Sequence, residues 1–193
     1  SWAEAAKMIM TGEATAVLAG GVEQMSQIPY VARNVRFGGV RMGNFELEDY
    51  MTSALTDAYS KTPMAITAEN LGEKYGITRE QSDRYSIQSQ QRYDQAFKKG
   101  YFAAEIAPVT VETKKGAIVV EKDEHPKPDS TFEKISTLKS LFKKDGLVTA
   151  ASASGIVDGA AMSLLTSESK AKELGLKPMA RILSWASVGC EPT

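Results

Sequence analysis

Leu147-Val-Thr-Ala-Ala-Ser-Ala-Ser154-Gly-Ile-Val-Asp158-Gly-Ala-Ala-Met-Ser-Leu-Leu165 leads a short apolar segment into small residues, then an acid, then a second apolar segment. All six residues from 150 to 155 are Ala, Ser or Gly, and small side chains let main chain come close to whatever lies beside it. Ser152 and Ser154 add hydroxyls that donate and accept hydrogen bonds. Two uses fit this stretch: a tight packing corner, or a place where other atoms meet backbone directly. Outward from it the pattern reads strand, glycine turn, strand, then a helix over 167–174 stopped by Gly175, then a strand over 179–186. At the other end Trp2, Ala5, Ala6, Ile9 and Met10 recur at helical spacing as far as Gly12, and a buried strand over 14–19 follows. The expected fold class is α/β, a mixed sheet with helices on its faces.

Between these strands the chain makes a long, mostly helical excursion. Residues 27–47 are irregular, with Pro29, Gly38, Gly39 and Gly43 interleaved with Arg33, Arg36 and Arg41. They read as an exposed loop with solvated charges, in which Phe37, Val40, Met42 and Phe45 are apolar enough to serve as anchors. Helices are expected over 46–59 and 64–75. Thr78-Arg-Glu-Gln81 is a capping box that opens a long helix running to Lys99 and stopped by Gly100, with Tyr85, Ser89, Tyr93, Ala96 and Phe97 on its inner face. Residues 109–113 and 117–120 alternate around a glycine turn as a hairpin. A charged, proline-bearing linker over 123–130 and a short helix over 131–138 complete the excursion.

The balance of charge excludes several classes. With 193 residues, 42% of them hydrophobic, the chain is long enough to bury a core, and a formal net charge of -1 gives no field for nucleic acid. No apolar run approaches the roughly 20 residues of a membrane span. The opening Ser1-Trp-Ala-Glu-Ala-Ala-Lys reads as the inside of a helix, neither signal nor transit peptide. A single Cys allows no internal disulfide and suits a reducing compartment. No metal and no cofactor are expected.

The stretch around Ser154 resembles the Val-Thr-Ala-Gly-Asn-Ala-Ser-Gly-x-x-Asp-Gly-Ala element of thiolases, enzymes that cleave or condense 3-oxoacyl-CoA thioesters. Ala19-Gly-Gly-Val-Glu23-Gln-Met25-Ser26 is similar to the family's Ala-Gly-Gly-x-Glu-x-Met-Ser, and Met64-Ala-Ile-Thr67-Ala-Glu69-Asn70 to its Met-x-x-Thr-Ala-Glu-Asn. Ile77-Thr-Arg-Glu80-Gln-Ser-Asp83, Ser89-Gln90, Gly100-Tyr-Phe-x-x-Glu105-Ile-x-Pro108 and Asp123-Glu124 continue the match in order. The resemblance covers essentially the whole chain and about the middle half of such an enzyme. It implies a partial thiolase-like fold: residues 1–27 and 146–175 in the N-terminal core, 28–145 as the inserted loop domain, and 176–193 opening the C-terminal core.

By the same resemblance the intact protein is a thiolytic acyltransferase converting 3-oxoacyl-CoA plus CoA into acyl-CoA plus acetyl-CoA. Its chemistry needs a cysteine nucleophile, a histidine base and a second cysteine. Cys190, in Val-Gly-Cys-Glu-Pro, and His125, in Glu-His-Pro-Lys-Pro, match none of those motifs, so no catalytic residue is assigned here and His125 reads as a solvated surface histidine. The nucleophile is expected shortly before Ser1. Coenzyme A is a substrate, and the resemblance assigns its binding to Ser154 for the pantetheine arm, Ala150, Ala153 and Ile156 beside it, and Lys127, Lys134 and Ile135 toward the adenine and phosphates. Leu55 and Met64 are assigned to the acyl pocket. A homodimer or homotetramer is implied as well, with the 27–47 arm between subunits.

Two departures concern detail. Ala151-Ser152 replaces the family's Gly-Asn. Thr62-Pro63-Met64-Ala65, Val31-Ala-Arg-Asn-Val-Arg-Phe37-Gly and Ser89-Gln-Gln-Arg92 resemble the β-oxidation branch, whereas Gly38-Gly-Val-Arg-Met-Gly43 resembles the acetoacetyl-CoA branch. The β-oxidation reading places the protein in the mitochondrial matrix, with cytoplasm or peroxisome as alternatives. A biosynthetic acetoacetyl-CoA thiolase and a non-catalytic acyl-CoA-binding homologue stand as alternative functions.

Overall fold

The computed structural model describes residues 1–192 apart from Gly38, Val40 and Arg41. Val40, an expected anchor of the 27–47 arm, therefore lies outside the described residues, as does part of the Gly38–Gly43 motif. Secondary structure mixes helices with small antiparallel sheets. The chain divides into two compact units, residues 1–53 with 156–191, and residues 54–155 with Pro192. Among the described residues no helix is long and apolar enough to cross a membrane.

The first unit is built on β1 (Ala16–Gln24) paired antiparallel with β6 (Asp158–Thr166), in register from Ala16 opposite Thr166 to Gln24 opposite Asp158. Helix α1 (Trp2–Met10) packs on both strands, where Ala5 and Ala19 are small enough to be buried between them. The strand expected over 14–19 is longer than read and mostly exposed. One helix against a two-stranded ladder leaves Leu18, Val22, Met162 and Leu164 uncovered. The Asp158 carboxylate accepts the Ser26 hydroxyl and, at 2.9 Å, the Ser26 N–H, pinning the turn after β1 to the start of β6. These bonds, the hydroxyl's first, hold the Asp158 carboxyl below the usual aspartate range.

Strands β2 (Tyr30–Val31) and β3 (Glu48–Asp49) pair and close the base of the irregular arm. Arg33 donates to both Glu48 oxygens and, at 3.1 Å, to the Ser53 hydroxyl, so this arginine is not merely solvated. Phe37, Met42 and Phe45 are exposed. The helix read over 46–59 shrinks to α2 (Tyr50–Ala54), because Glu48 and Asp49 pair as strand and Asp49 caps the short helix, accepting the Met51 N–H at 3.0 Å and the Thr52 hydroxyl at 2.8 Å. After β6, the Ser167 hydroxyl caps α6 (Glu168–Glu173), which Gly175 ends in the left-handed region at φ +65°. The strand expected over 179–186 does not form. Met179 is 93% and Leu183 83% exposed, and no described strand offers the ladder partner that their backbone would require.

In the second unit α3 (Met64–Lys74) and α4 (Arg79–Lys98) follow the sequence reading closely. The capping box is complete, with Gln81 N–H on the Thr78 hydroxyl at 3.2 Å and Thr78 N–H on the Gln81 side chain at 2.8 Å. The inner face of α4 is only partly the one expected: Tyr93 and Ala96 are half-buried, but Tyr85, Ser89 and Phe97 are exposed, while Asp83 is 1% exposed and Arg79 and Gln90 join Tyr93 on the packed side. The expected hairpin forms from β4 (Val109–Thr113) and β5 (Gly116–Val120), with Gly116 starting the second strand opposite Thr113. The helix over 131–138 reduces to α5 (Phe132–Ile135), capped by Thr131.

Segment 123–138 rests on that face of α4 contact by contact. Tyr93 lies near Asp123, and burial first, then this carboxylate, pushes its hydroxyl up. Lys127 N–H donates to Gln90 at 2.8 Å, Arg84 lies over the Phe132 ring at 4.5 Å, and Arg79 donates to the carbonyls of Ile135 and Leu138 at 3.1 and 2.9 Å. Arg79 also pairs with Asp83 at 2.9 Å. The first strand of the expected strand, turn, strand sequence is absent, because Leu147 and Val148 give their N–H groups to the Glu69 carboxylate instead of to a ladder.

Candidate functional site

Residues 146–155 form a loop whose interior is settled by hydrogen bonds. Thr149, fully buried, donates its N–H to the Ser152 hydroxyl at 2.9 Å and accepts the Ala151 N–H on its own hydroxyl at 3.2 Å. The Ser152 hydroxyl donates back to the Leu147 carbonyl at 3.2 Å. Ser152 is thus consumed inside the loop.

Ser154 is the counterpart. It is exposed, and its hydroxyl makes no hydrogen bond among the described residues. Ala150 is exposed and Ala153 half-buried, so backbone near Ser154 is approachable. Beside it the His125 imidazole occupies the space that a Cβ on Gly155 would fill. His125 is exposed, as expected of a surface histidine, yet its ring leans on the loop, a role that its proline-flanked setting did not signal. Ile156 is exposed and belongs to the first unit.

The remaining expected residues divide by environment. Lys127 and Lys134 are exposed, and neither ammonium forms an ion pair among the described residues. Ile135 is buried, in the short helix of the segment that carries both lysines. Leu55 and Met64 are brought together by the Met64 N–H donating to the Leu55 carbonyl at 3.1 Å, across a loop that Asp57 closes by accepting the Tyr59 and Ser60 N–H groups. Both side chains are exposed. An open apolar groove lies elsewhere, between α1 and β1, and no expected site residue lines it. Among the described residues no cluster of three or more His, Cys, Asp or Glu is placed to hold a metal.

Sequence reasoning also passed over Glu69. This residue falls within a family motif and carries no assigned role there, yet it is buried and holds the loop's entry. An acid on the packed side of an otherwise ordinary helical repeat was the available signal.

Fold and motifs together define a chain of mixed α/β structure. The chain belongs to the thiolase family, residues 1–169 matching the thiolase N-terminal domain. It is 48% identical over 185 residues to mouse mitochondrial 3-ketoacyl-CoA thiolase, covering 96% of this chain and 47% of that protein. It is 50% identical over 190 residues to an acetyl-CoA acetyltransferase of Chromobacterium violaceum, covering 97% and 48%. A crystal structure of human mitochondrial 3-ketoacyl-CoA thiolase in complex with CoA superposes with a TM-score of 0.82 at 45% identity, over 92% of this chain and 44% of that one. The chain thus spans about half the length of the curated relatives it matches.

Proposed function

We propose that the intact protein is a thiolytic acyltransferase and that this chain supplies walls of its CoA and acyl sites. In that reaction a cysteine thiolate on another segment adds to the 3-oxo carbon, the bond between C2 and C3 breaks, and acetyl-CoA leaves after its carbanion takes a proton. CoA thiolate then takes the acyl group from the enzyme sulfur. The groups of this chain bind and orient. Ser154 offers its hydroxyl to a pantetheine amide next to Ala150 and Ala153, Ile156 is a further candidate for the same arm, Lys127 and Lys134 are candidates for the phosphates on the segment that holds Ile135, and Leu55 and Met64 are candidates for the acyl chain.

The observation that carries this reading is the contrast between neighbouring hydroxyls. Those of Thr149 and Ser152 are spent holding the loop, while that of Ser154 is left open. Support comes also from the CoA complex of the human relative. In the intact protein Ser154→Ala should raise KM for CoA about fivefold, the value of one lost neutral hydrogen bond. An unchanged KM removes Ser154 from the site.

The similarity to an acetyl-CoA acetyltransferase favours a second reading, a biosynthetic acetoacetyl-CoA thiolase. Comparing kcat/KM for acetoacetyl-CoA with that for longer 3-oxoacyl-CoA substrates separates the two. β-Oxidation is the pathway we infer, with a matrix location supported by the mitochondrial relatives and a cytoplasmic one by the bacterial relative. A homodimer or homotetramer accompanies it, with exposed Phe37, Met42 and Phe45 as contacts.

A further inference from the structure

We propose that Glu69 is a positioning residue for the CoA loop, setting the course of residues 149–155 from helix α3. The inference rests on the reading of Ser154 as a CoA contact. Glu69 is 3% exposed, and a carboxylate so buried must be matched by donors. Its donors are two consecutive backbone amides, Leu147 N–H at 2.7 Å and Val148 N–H at 2.8 Å. Charge-assisted bonds of this kind are short and directional.

The clasp is reciprocal. A Cβ on Gly146 would meet the Glu69 carboxyl group, and a Cβ on Gly72, one helical turn further along α3, would meet the Leu147 side chain. The carboxylate therefore reaches the loop only because residue 146 has no side chain, and Leu147 lies in a notch that only glycine leaves open. The nearby cation Lys143 pairs with Glu73 at 2.8 Å, and the hydrogen bonds to the Glu69 carboxylate come from the two amides.

From the clasp the order passes directly to the loop. The residue bonded to Glu69 through its N–H, Leu147, accepts the Ser152 hydroxyl on its carbonyl, and Ser152 accepts the Thr149 N–H. Two residues on, Ser154 presents its free hydroxyl. Turning the Leu147–Val148 peptides would turn that hydroxyl.

The test uses the intact protein with Ser154→Ala, Glu69→Gln and the double variant, reading kcat and KM for CoA. A glutamine keeps one acceptor and points an NH2 donor at the second amide. Glu69→Gln is expected to raise KM for CoA about fivefold or more with kcat at saturating CoA little changed, and the double variant to be no worse than the poorer single one. A fall in kcat at constant KM would mean fewer folded molecules and a merely structural role, overturning the proposal. So would KM effects that simply multiply in the double variant. If Ser154→Ala raises KM and Glu69→Gln does not, positioning by Glu69 is refuted while the CoA site stands; if Ser154→Ala is silent, the CoA reading itself has failed. Should Glu69→Gln not accumulate in folded form, Glu69→Asp carries the same test, because it keeps the charge but draws the carboxylate back by one methylene from the two amides. A KM unchanged in that variant also overturns the proposal.

Discussion

Replacing Arg79 by methionine should be among the most damaging single changes in the second unit. The guanidinium bonds both oxygens of Asp83, at 3.0 and 2.9 Å, and the carbonyls of Ile135 and Leu138. Methionine fills similar volume but leaves Asp83, 1% exposed, as a buried carboxylate without its cation. Breaking a buried pair costs about 3–5 kcal/mol, and because the Arg79 side chain is 26% exposed the figure is better taken as about 2–3 kcal/mol. Much of that cost belongs to the abandoned charge, which yields a sharper expectation. Arg79→Met with Asp83→Leu should be less destabilising than Arg79→Met alone, since the double variant leaves no charge behind. Hydrogen exchange in the intact protein at amides 131–138, read against amides of α3 as an internal reference, measures the local loss. A cost in the single variant below about 1 kcal/mol, or a double variant worse than the single one, would refute the claim that this pair mounts the 123–138 segment on α4.

Two further expectations concern other parts of the fold. Gly155→Ala should displace the His125 ring and raise KM for CoA, and adding His125→Ala should restore most of the loss; a defect that persists in the double variant would show that the ring is not what the methyl meets. Asp158, whose folded carboxyl lies below its ordinary value, contributes stability that is complete above the ordinary aspartate range and lost as pH falls through the lowered value. Ser26→Ala removes the largest cause of that lowering, so the stability gap between native and variant protein in urea unfolding should close on going from about pH 5 to pH 2; a gap constant with pH would contradict it.

What could be read in the chain was whatever depends on neighbours in sequence. Thr78 and Gln81 sit three residues apart and make their capping box with no help from elsewhere, and Gly12, Gly100 and Gly175 end their helices in the left-handed region where expected. The hairpin around Gly116 is local in the same sense. What could not be read depends on partners far along the chain. Leu147 and Val148 look like strand residues, but their amides are claimed by an acid 78 and 79 residues away. Part of the inner face of α4 eluded hydrophobic periodicity because it is polar: Arg79 and Asp83 satisfy one another, Arg79 also donates to backbone carbonyls, and Gln90 accepts a backbone N–H. At 179–186 the pattern asks for a strand, and a strand is only as real as its ladder.

For the candidate site, small side chains at 150–155 drew the sequence reading to this loop, and family motifs pointed to Ser154. Which of the two serines is free could not be inferred from composition, because Ser152 and Ser154 differ only in what their hydroxyls meet after folding. The same holds for His125, whose contact with Gly155 spans thirty positions of sequence.

The direct test is product formation by the intact protein supplied with a 3-oxoacyl-CoA and free CoA. One acetyl-CoA and one acyl-CoA shortened by two carbons should appear for each substrate consumed, at a rate that saturates with CoA. Folded protein that binds CoA yet releases no acetyl-CoA would contradict the account, leaving a thiolase-family binder without the chemistry.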